Sequence, residues 1–183
     1  MGKYHRFSTP DEVQTWVQQY YTYEELKELE ELEKVEDMKI SALLFYKGNG
    51  YRHMNYCVRN GITDTNGIVD VNSLQQLLLS KRIKESIEVY RFIDFNELII
   101  LLRNTSRKHT FEFPSFLSTT LLWEYYSMED IKRGRFRISI RIPEGTAGTY
   151  LPEINHDRPE YEILLPHHLK LRRINWTSFE IIQ

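Results

Sequence analysis

The chain has 183 residues, 41% hydrophobic and 27% charged, with a formal net charge of −2. Its 12 Tyr, 9 Phe and 3 Trp supply a sizeable core for one domain and exclude general disorder, while the charge argues against a nucleic-acid-binding surface over the whole protein. The single Cys57 excludes an intramolecular disulfide and any CxxC metal site, no run approaches the ~20 apolar residues of a membrane span, and residues 1–10 lack the apolar core of a signal peptide.

Ser8-Thr9-Pro10-Asp11-Glu12 starts a helix: a hydroxyl cap, proline at the first helical position, then acids in the first turn. It runs to about Tyr21 and buries Val13, Trp16, Val17 and Tyr20 at helical spacing. Thr22 and Glu25 form a capping box that opens an acidic surface helix over Glu24–Asp37. A third helix, Met38–Tyr46, is expected to stop at Gly48-Asn49-Gly50. Tyr51–Arg59 follows as a short helix ended by Asn60-Gly61, and Asp70 caps another over Val71–Ile83. Near Ser86 the pattern changes. Ile87–Phe92 alternates and is β-branched or aromatic, as a strand requires. After a helix over Asn96–Arg103, strands are predicted over Thr110–Phe116, Phe136–Ile142, Glu160–Leu165, Leu169–Trp176 and Phe179–Ile182. Helices first and strands afterwards predict an α+β fold in one domain, residues 1–183, with a helical lobe over 1–85 and a β core over 86–183.

Three stretches carry chemistry. In a strand, Glu160 and Glu162 would share a face about 6–7 Å apart, with Tyr161 pointing the other way. The pair is either two carboxylates serving one reaction or a solvated strand edge. Arg91 lies in an otherwise apolar strand, so it either pairs with an acid such as Glu88 or Asp94 or awaits a phosphate or carboxylate. Ser118-Thr119-Thr120 places three hydroxyls at a strand end, as donors to a carboxylate or sugar oxygen or as a cap for a following helix through Trp123, Tyr125 and Tyr126. Adjacent His167 and His168 would point to opposite faces of a strand, which disfavours shared metal ligation. Neither a dinucleotide-fold GxGxxG nor a phosphate-loop GxxxxGK occurs. Cys57 reads as a small core residue.

In this order, Arg91, Ser118-Thr119-Thr120 and Glu160-x-Glu162 resemble the arginine–serine–glutamate group of mono-ADP-ribosyltransferase toxins. The resemblance is closest to the catalytic component of the clostridial binary toxins and spans nearly the whole chain. Tyr46-x-Gly48-x-Gly50-Tyr51-x-x-x-Asn55 looks like the family's helix junction before its first catalytic strand. Residues 143–151, PEGTAGTYL, look like the strand and turn leading into its substrate-recognition loop.

The resemblance implies an ADP-ribosyltransferase fold, a helical lobe followed by a mixed or antiparallel two-sheet β core, with NAD as co-substrate in the cleft and no metal. It implies that Arg91 grips the NAD phosphates and that Phe92, Thr119, Thr120, Tyr51 and Asn55 complete the NAD site. Ser118 would hold Glu162, and Glu162 would face the positive charge that develops on the ribose. Glu160 would align an acceptor arginine, whose guanidinium is a poor nucleophile unless a carboxylate accepts its proton. Asn155, His156, Asp157 and Arg158 would lie in the loop that meets the protein target, and residues 121–135 beside NAD. The sequence departs from the family in both loops: Asn155–Arg158 stands where an aromatic is usual, the usual phenylalanine is replaced near Ile131, and Thr120 replaces a serine. These departures bear on the target more than on the reaction, so actin is not assumed. The implied partners are a protein carrying an acceptor arginine and a delivery or translocation protein, for a chain secreted or delivered into a target cell. An NAD glycohydrolase and an inactive binding module are the alternatives.

Overall fold

The computed structural model describes residues 4–22, 25, 38–62, 71–106, 109–124, 134–151 and 161–182. The acidic helix expected over Glu24–Asp37, the Asp70 cap, and Glu160, Asn155, His156, Asp157, Arg158, Tyr125, Tyr126 and Ile131 lie outside these residues, Glu25 excepted.

Helix α1 spans Pro10–Tyr20. Thr9 Oγ1 accepts the N–H of Glu12 at 3.3 Å, satisfying an otherwise orphaned donor of the first turn, and the Glu12 carboxylate reaches back to accept the N–H of Ser8, just before the cap, at 2.6 Å. Val13, Trp16 and Val17 are buried along its inner stripe. The Thr22–Glu25 box also forms, with reciprocal bonds of 2.9 and 3.1 Å.

The glycine pair does not stop the next helix. Helix α2, Met38–Phe45, widens into a π turn over Tyr46–Gly50 and runs straight into α3, Tyr51–Arg59. Gly50 is there for close approach, because a Cβ at that position would meet both the ring and the carbonyl of Phe45. Helix α4, Val71–Ser80, buries Val71, Leu74, Leu77 and Leu78. Helix α5, Phe95–Asn104, follows the first strand and is capped by Asp94, whose Oδ1 accepts the N–H of Glu97 at 2.8 Å.

The strands are β1 Ile87–Ile93, β2 Thr110–Glu112, β3 Leu117–Thr120, β4 Phe136–Ile142, β5 Thr149–Leu151, β6 Glu162–Leu165, β7 Lys170–Arg173 and β8 Ser178–Ile182. They form one ladder in the order β2-β7-β8-β4-β1-β3-β6-β5, antiparallel except for the parallel β4–β8 pair. The ladder is thinnest between β1 and β3, joined there by the single register pair Tyr90↔Thr120, whereas β1 and β4 pair along their whole length. The fold is α+β with a large mixed sheet, and its two halves meet at that narrow join.

Three predicted strands are shorter than expected; the run Leu169–Trp176 is a strand only over Lys170–Arg173, which leaves Trp176 in the following turn. The run Thr110–Phe116 breaks after Glu112, and β3 begins anew at Leu117, beyond Pro114. The run Glu160–Leu165 begins only at Glu162, because Tyr161 takes a φ of +45°, a conformation bulky L-residues rarely adopt. Strand alternation therefore stops at Tyr161, and Glu160 lies outside the described residues.

Two cores position the site. Val13 and Trp16 of α1 pack with Val89, Ile140, Ile163 and Phe179 of the sheet. Leu43, Met54, Leu74 and Leu78 of α2–α4 pack instead with Phe116, Leu151 and Leu164. Gly148 fixes where β5 enters the second group. Its φ is +140°, and a Cβ would lie 2.5 Å from Leu165 Cδ2 and 2.9 Å from the Leu164 carbonyl oxygen. Gly148→Ala is expected to destabilise the fold by about 2–3 kcal/mol, read as a lower urea midpoint at unchanged slope.

Candidate active site

β3 and β6 run antiparallel with Thr120 opposite Glu162 and Ser118 opposite Leu164. Residues two apart on a strand share a face, so Ser118, Thr120, Glu162 and Leu164 project together toward α2–α4. Across this face Ser118 Oγ donates to Glu162 Oε1 at 2.6 Å, the short distance of a charge-assisted bond. Glu162 is only 7% exposed. A carboxylate this deep, held by a hydroxyl, is a fixed negative charge in a medium that screens it poorly.

The π turn brings tyrosines to the same place. Its i→i+5 bonding sets Tyr46 and Tyr51 about one turn apart, so their rings meet edge to face at 6.3 Å. Tyr46 is buried, and its hydroxyl is pushed up to about 12, first by burial and then by the charge of Glu162. It therefore stays neutral beside the carboxylate. Tyr46 was not singled out from the sequence as a site residue; the signal was the tyrosine pair bracketing Gly48-x-Gly50. Tyr51 stands at the rim, 40% exposed, its hydroxyl accepting from Arg52 Nε at 3.0 Å. Asn55 Oδ1 accepts the N–H of Phe116 at 3.0 Å and its Nδ2 lies 3.5 Å from the Tyr46 hydroxyl, so it ties α3 to the entrance of β3.

Arg91 pairs with neither acid proposed for it. Its Nε donates to Glu97 at 3.3 Å, since Asp94 is occupied as the α5 cap and buried Glu88 is taken by Arg6 and Arg141 at 3.0 and 3.3 Å. The N–H of Leu121 points to the Tyr161 carbonyl on the β6 side, so by alternation the Ser118 carbonyl points toward β1. Beyond Tyr90↔Thr120 no backbone group of β1 pairs with it in register, and Arg91 Nη1 donates to it at 2.8 Å. Arg91 thus braces the strand that carries Ser118. Phe92 projects from the opposite face of β1, near the Arg137 guanidinium at 6.0 Å. The three hydroxyls divide likewise. Ser118 and Thr120 share the face of Glu162, but Thr119 turns the other way and donates to the Ile163 carbonyl at 3.0 Å. Buried and committed to the backbone, Thr119 is a sheet fastening rather than a group open to a cofactor.

The family model for the ADP-ribosyltransferase exoenzyme matches residues 14–180. The chain belongs to this family. Among solved structures it is similar to the ADP-ribosylating toxin BECa of a C. perfringens binary enterotoxin, crystallised with NADH, at 18% identity and a TM-score of 0.73 over 98% of this chain and 50% of that one. It is also similar to the Clostridium limosum C3 exoenzyme, at 18% identity and TM-score 0.62 over 98% and 96% of the two chains. C3stau2 from S. aureus, solved with NAD, gives 17% identity and TM-score 0.62 over 98% and 97%. The chain thus spans half of the BECa chain and nearly all of the two C3 chains; at these identities the likeness is one of fold. No curated protein matches it in sequence.

Two other features of this exoenzyme-family chain lie apart from Glu162. A cavity of about 220 Å³ beside β5 is lined by Tyr21, Lys81, Lys84 and Thr149 among others, and contains none of the residues above. His167 and His168 sit in a turn, not a strand, and their rings meet at 4.4 Å instead of pointing apart. His168 pairs with Glu112 at 2.6 Å, and Gln75 of α4 clasps both backbone groups of His167, at 3.1 and 3.3 Å. Among the described residues no group of three His, Cys, Asp or Glu could hold a metal ion. Burial, then the neighbouring His168, pushes His167 down to about 4 from its usual 6.5. The unfolded chain therefore takes up this proton as pH falls through 6.5, while the folded chain resists until about 4, so stability falls between those values and is level below them. Stability is expected to drop by about 1 kcal/mol from pH 7 to 5 through this partly exposed group. Urea midpoints at both pH values, with His167→Gln removing that part of the slope, measure it.

Proposed function

We propose that the protein is a mono-ADP-ribosyltransferase that cleaves NAD and transfers ADP-ribose to an arginine of a target protein. The Ser118–Glu162 bond of 2.6 Å carries the reading: it fixes a nearly buried carboxylate on the face shared by Thr120 and overlooked by Tyr46. Cleavage of the nicotinamide–ribose bond leaves positive charge on the sugar, as glycoside cleavage does. Glu162 accepts a ribose hydroxyl and opposes that charge, an interaction stronger in the transition state than in the bound substrate. Ser118 holds the carboxylate in place through that bond. Neutral Tyr46 and rim Tyr51 wall the cleft with rings against which the substrate packs.

Arg91 has five N–H donors, and two carry the bonds to Glu97 and Ser118; the others approach the NAD phosphates. Thr120 and Asn55 complete that side, Asn55 by holding the β3 entrance, and Phe92 contacts NAD from the face of β1 that the Tyr90↔Thr120 pair shares with Thr120. Nicotinamide departs with the bonding electron pair, a guanidinium nitrogen of the target bonds the ribose carbon, and Glu160 takes the proton that nitrogen loses. Asn155, His156, Asp157 and Arg158 meet the target protein. The NAD and NADH bound to C3stau2 and BECa support NAD as co-substrate. Membership of an exoenzyme family supports action as a toxin or effector delivered into another cell, with a partner protein for delivery.

The test is labelled NAD added to the chain with a eukaryotic and a bacterial lysate. Label on a discrete band, mapped by mass spectrometry to an arginine, is the expected result. Nicotinamide release with no labelled protein would instead make the chain an NAD glycohydrolase, and no NAD binding at all would leave an inactive module.

A further inference from the structure

We propose that the sheet end bearing Phe95, Phe136 and Trp176 docks onto an anionic lipid surface. The three side chains are 59%, 40% and 74% exposed. Singly, an exposed aromatic needs no explanation; gathered at one end of a sheet they mark an interaction surface. The topology gathers them. Ile93 at the end of β1 faces Phe136 at the start of β4, and α5 opens on Phe95, whose ring lies 5.9 Å from that of Phe136. β8 runs parallel to β4 with Ser178 beside Ser139, and the Ser139 N–H donates to the Thr177 carbonyl at 2.8 Å. The β7–β8 turn therefore emerges at the same end, carrying Trp176.

That turn is built to present its tryptophan. The N–H groups of Ile174 and Asn175 both donate to the Ser178 carbonyl, at 2.8 and 3.2 Å, and Asn175 Oδ1 accepts the N–H of Thr177 at 3.0 Å. Trp176 stands out on a pinned tip, already ordered, so docking it costs little conformational entropy. The charge around the rings selects the partner. The Arg173 guanidinium lies over Trp176 at 5.7 Å, and exposed Arg135 precedes Phe136, in a chain whose overall charge is −2. Asp94 shares this end but is engaged as the α5 cap. Tryptophan and phenylalanine at a headgroup boundary, with arginines reaching phosphates, is the arrangement anionic bilayers favour. A single-stranded nucleic acid uses the same residue types but stacks its bases along a basic groove, whereas these rings stand on a turn tip and strand ends.

Sedimentation of the purified chain with vesicles of phosphatidylcholine alone, and of phosphatidylcholine with phosphatidylserine, tests the proposal. Binding to the phosphatidylserine vesicles only, weakened by salt and lowered about tenfold in Trp176→Ala and in Arg135→Glu, is expected. Circular dichroism and Tm of both variants, unchanged from wild type, show that the loss is not unfolding. Absence of binding to either vesicle, equal binding to both, or wild-type binding by Trp176→Ala would overturn it. So would an oligo-dT strand that displaces the vesicles, which would make the end a polyanion site.

Discussion

Glu162→Gln is expected to slow nicotinamide release from NAD about a thousandfold while leaving the fold intact. The substitution keeps the shape, and the amide oxygen still accepts the Ser118 hydroxyl that now bonds Oε1 at 2.6 Å. What it removes is the charge, and the charge is what distinguishes transition state from ground state in a cleavage that leaves a cationic sugar. Because Glu162 is 7% exposed, water does not screen that charge, which is why so large an effect is assigned to one atom pair. The loss should appear in kcat, with KM for NAD little changed. Ser118→Ala, which frees the carboxylate without neutralising it, should cost about ten- to a hundredfold, again in kcat. If Glu162→Gln retained activity within about fivefold of wild type, the carboxylate would not face the reacting carbon and the mechanism would fall.

Much of this frame is local chemistry, and local chemistry is legible in a sequence. The start of α1 needed only Thr9, Pro10 and Glu12, and the Thr22–Glu25 box forms as its spacing requires. β1 and β4 alternate in sequence, with Val89, Ile93, Ile138 and Ile140 in the core shared with α1, although Glu88, Tyr90 and Ser139 on the other face are buried too. The misreadings arise where tertiary contact overrides propensity. Gly48-Asn49-Gly50 reads as a stop, yet the ring of Phe45 presses on Gly50 and the chain continues through a π turn. Tyr161 has high strand propensity, but in the fold it takes a positive φ with its side chain buried against the sheet core, a choice no neighbouring residue announces. Arg91 is recognisable as a half-buried cation needing a partner. Which acid it found depended on how α5 turns back over β1, bringing Glu97 to it while Asp94 caps the helix. The hydroxyl triplet was visible as a unit, but its division into Ser118 and Thr120 on one face and Thr119 on the other followed once Leu117–Thr120 became a strand rather than a strand end.

Glu160→Gln is expected to separate two activities that Glu162→Gln removes together. Transfer to the target protein should fall by about a hundredfold or more, while nicotinamide release in the absence of target stays within a few-fold of wild type. The reason lies in the acceptor. A guanidinium with a pKa above 12 holds its proton at neutral pH, so its nitrogen attacks only when a carboxylate aligns it and takes the proton; water, the acceptor in plain hydrolysis, needs less help. With its φ at +45°, Tyr161 ends the strand immediately before Glu162. Different partners are proposed for the two carboxylates, the ribose for Glu162 and the incoming arginine for Glu160. Equal loss of transfer and hydrolysis would place Glu160 on NAD itself. Undiminished transfer would mean that the acceptor is not a guanidinium, because no other part of this scheme requires a second carboxylate.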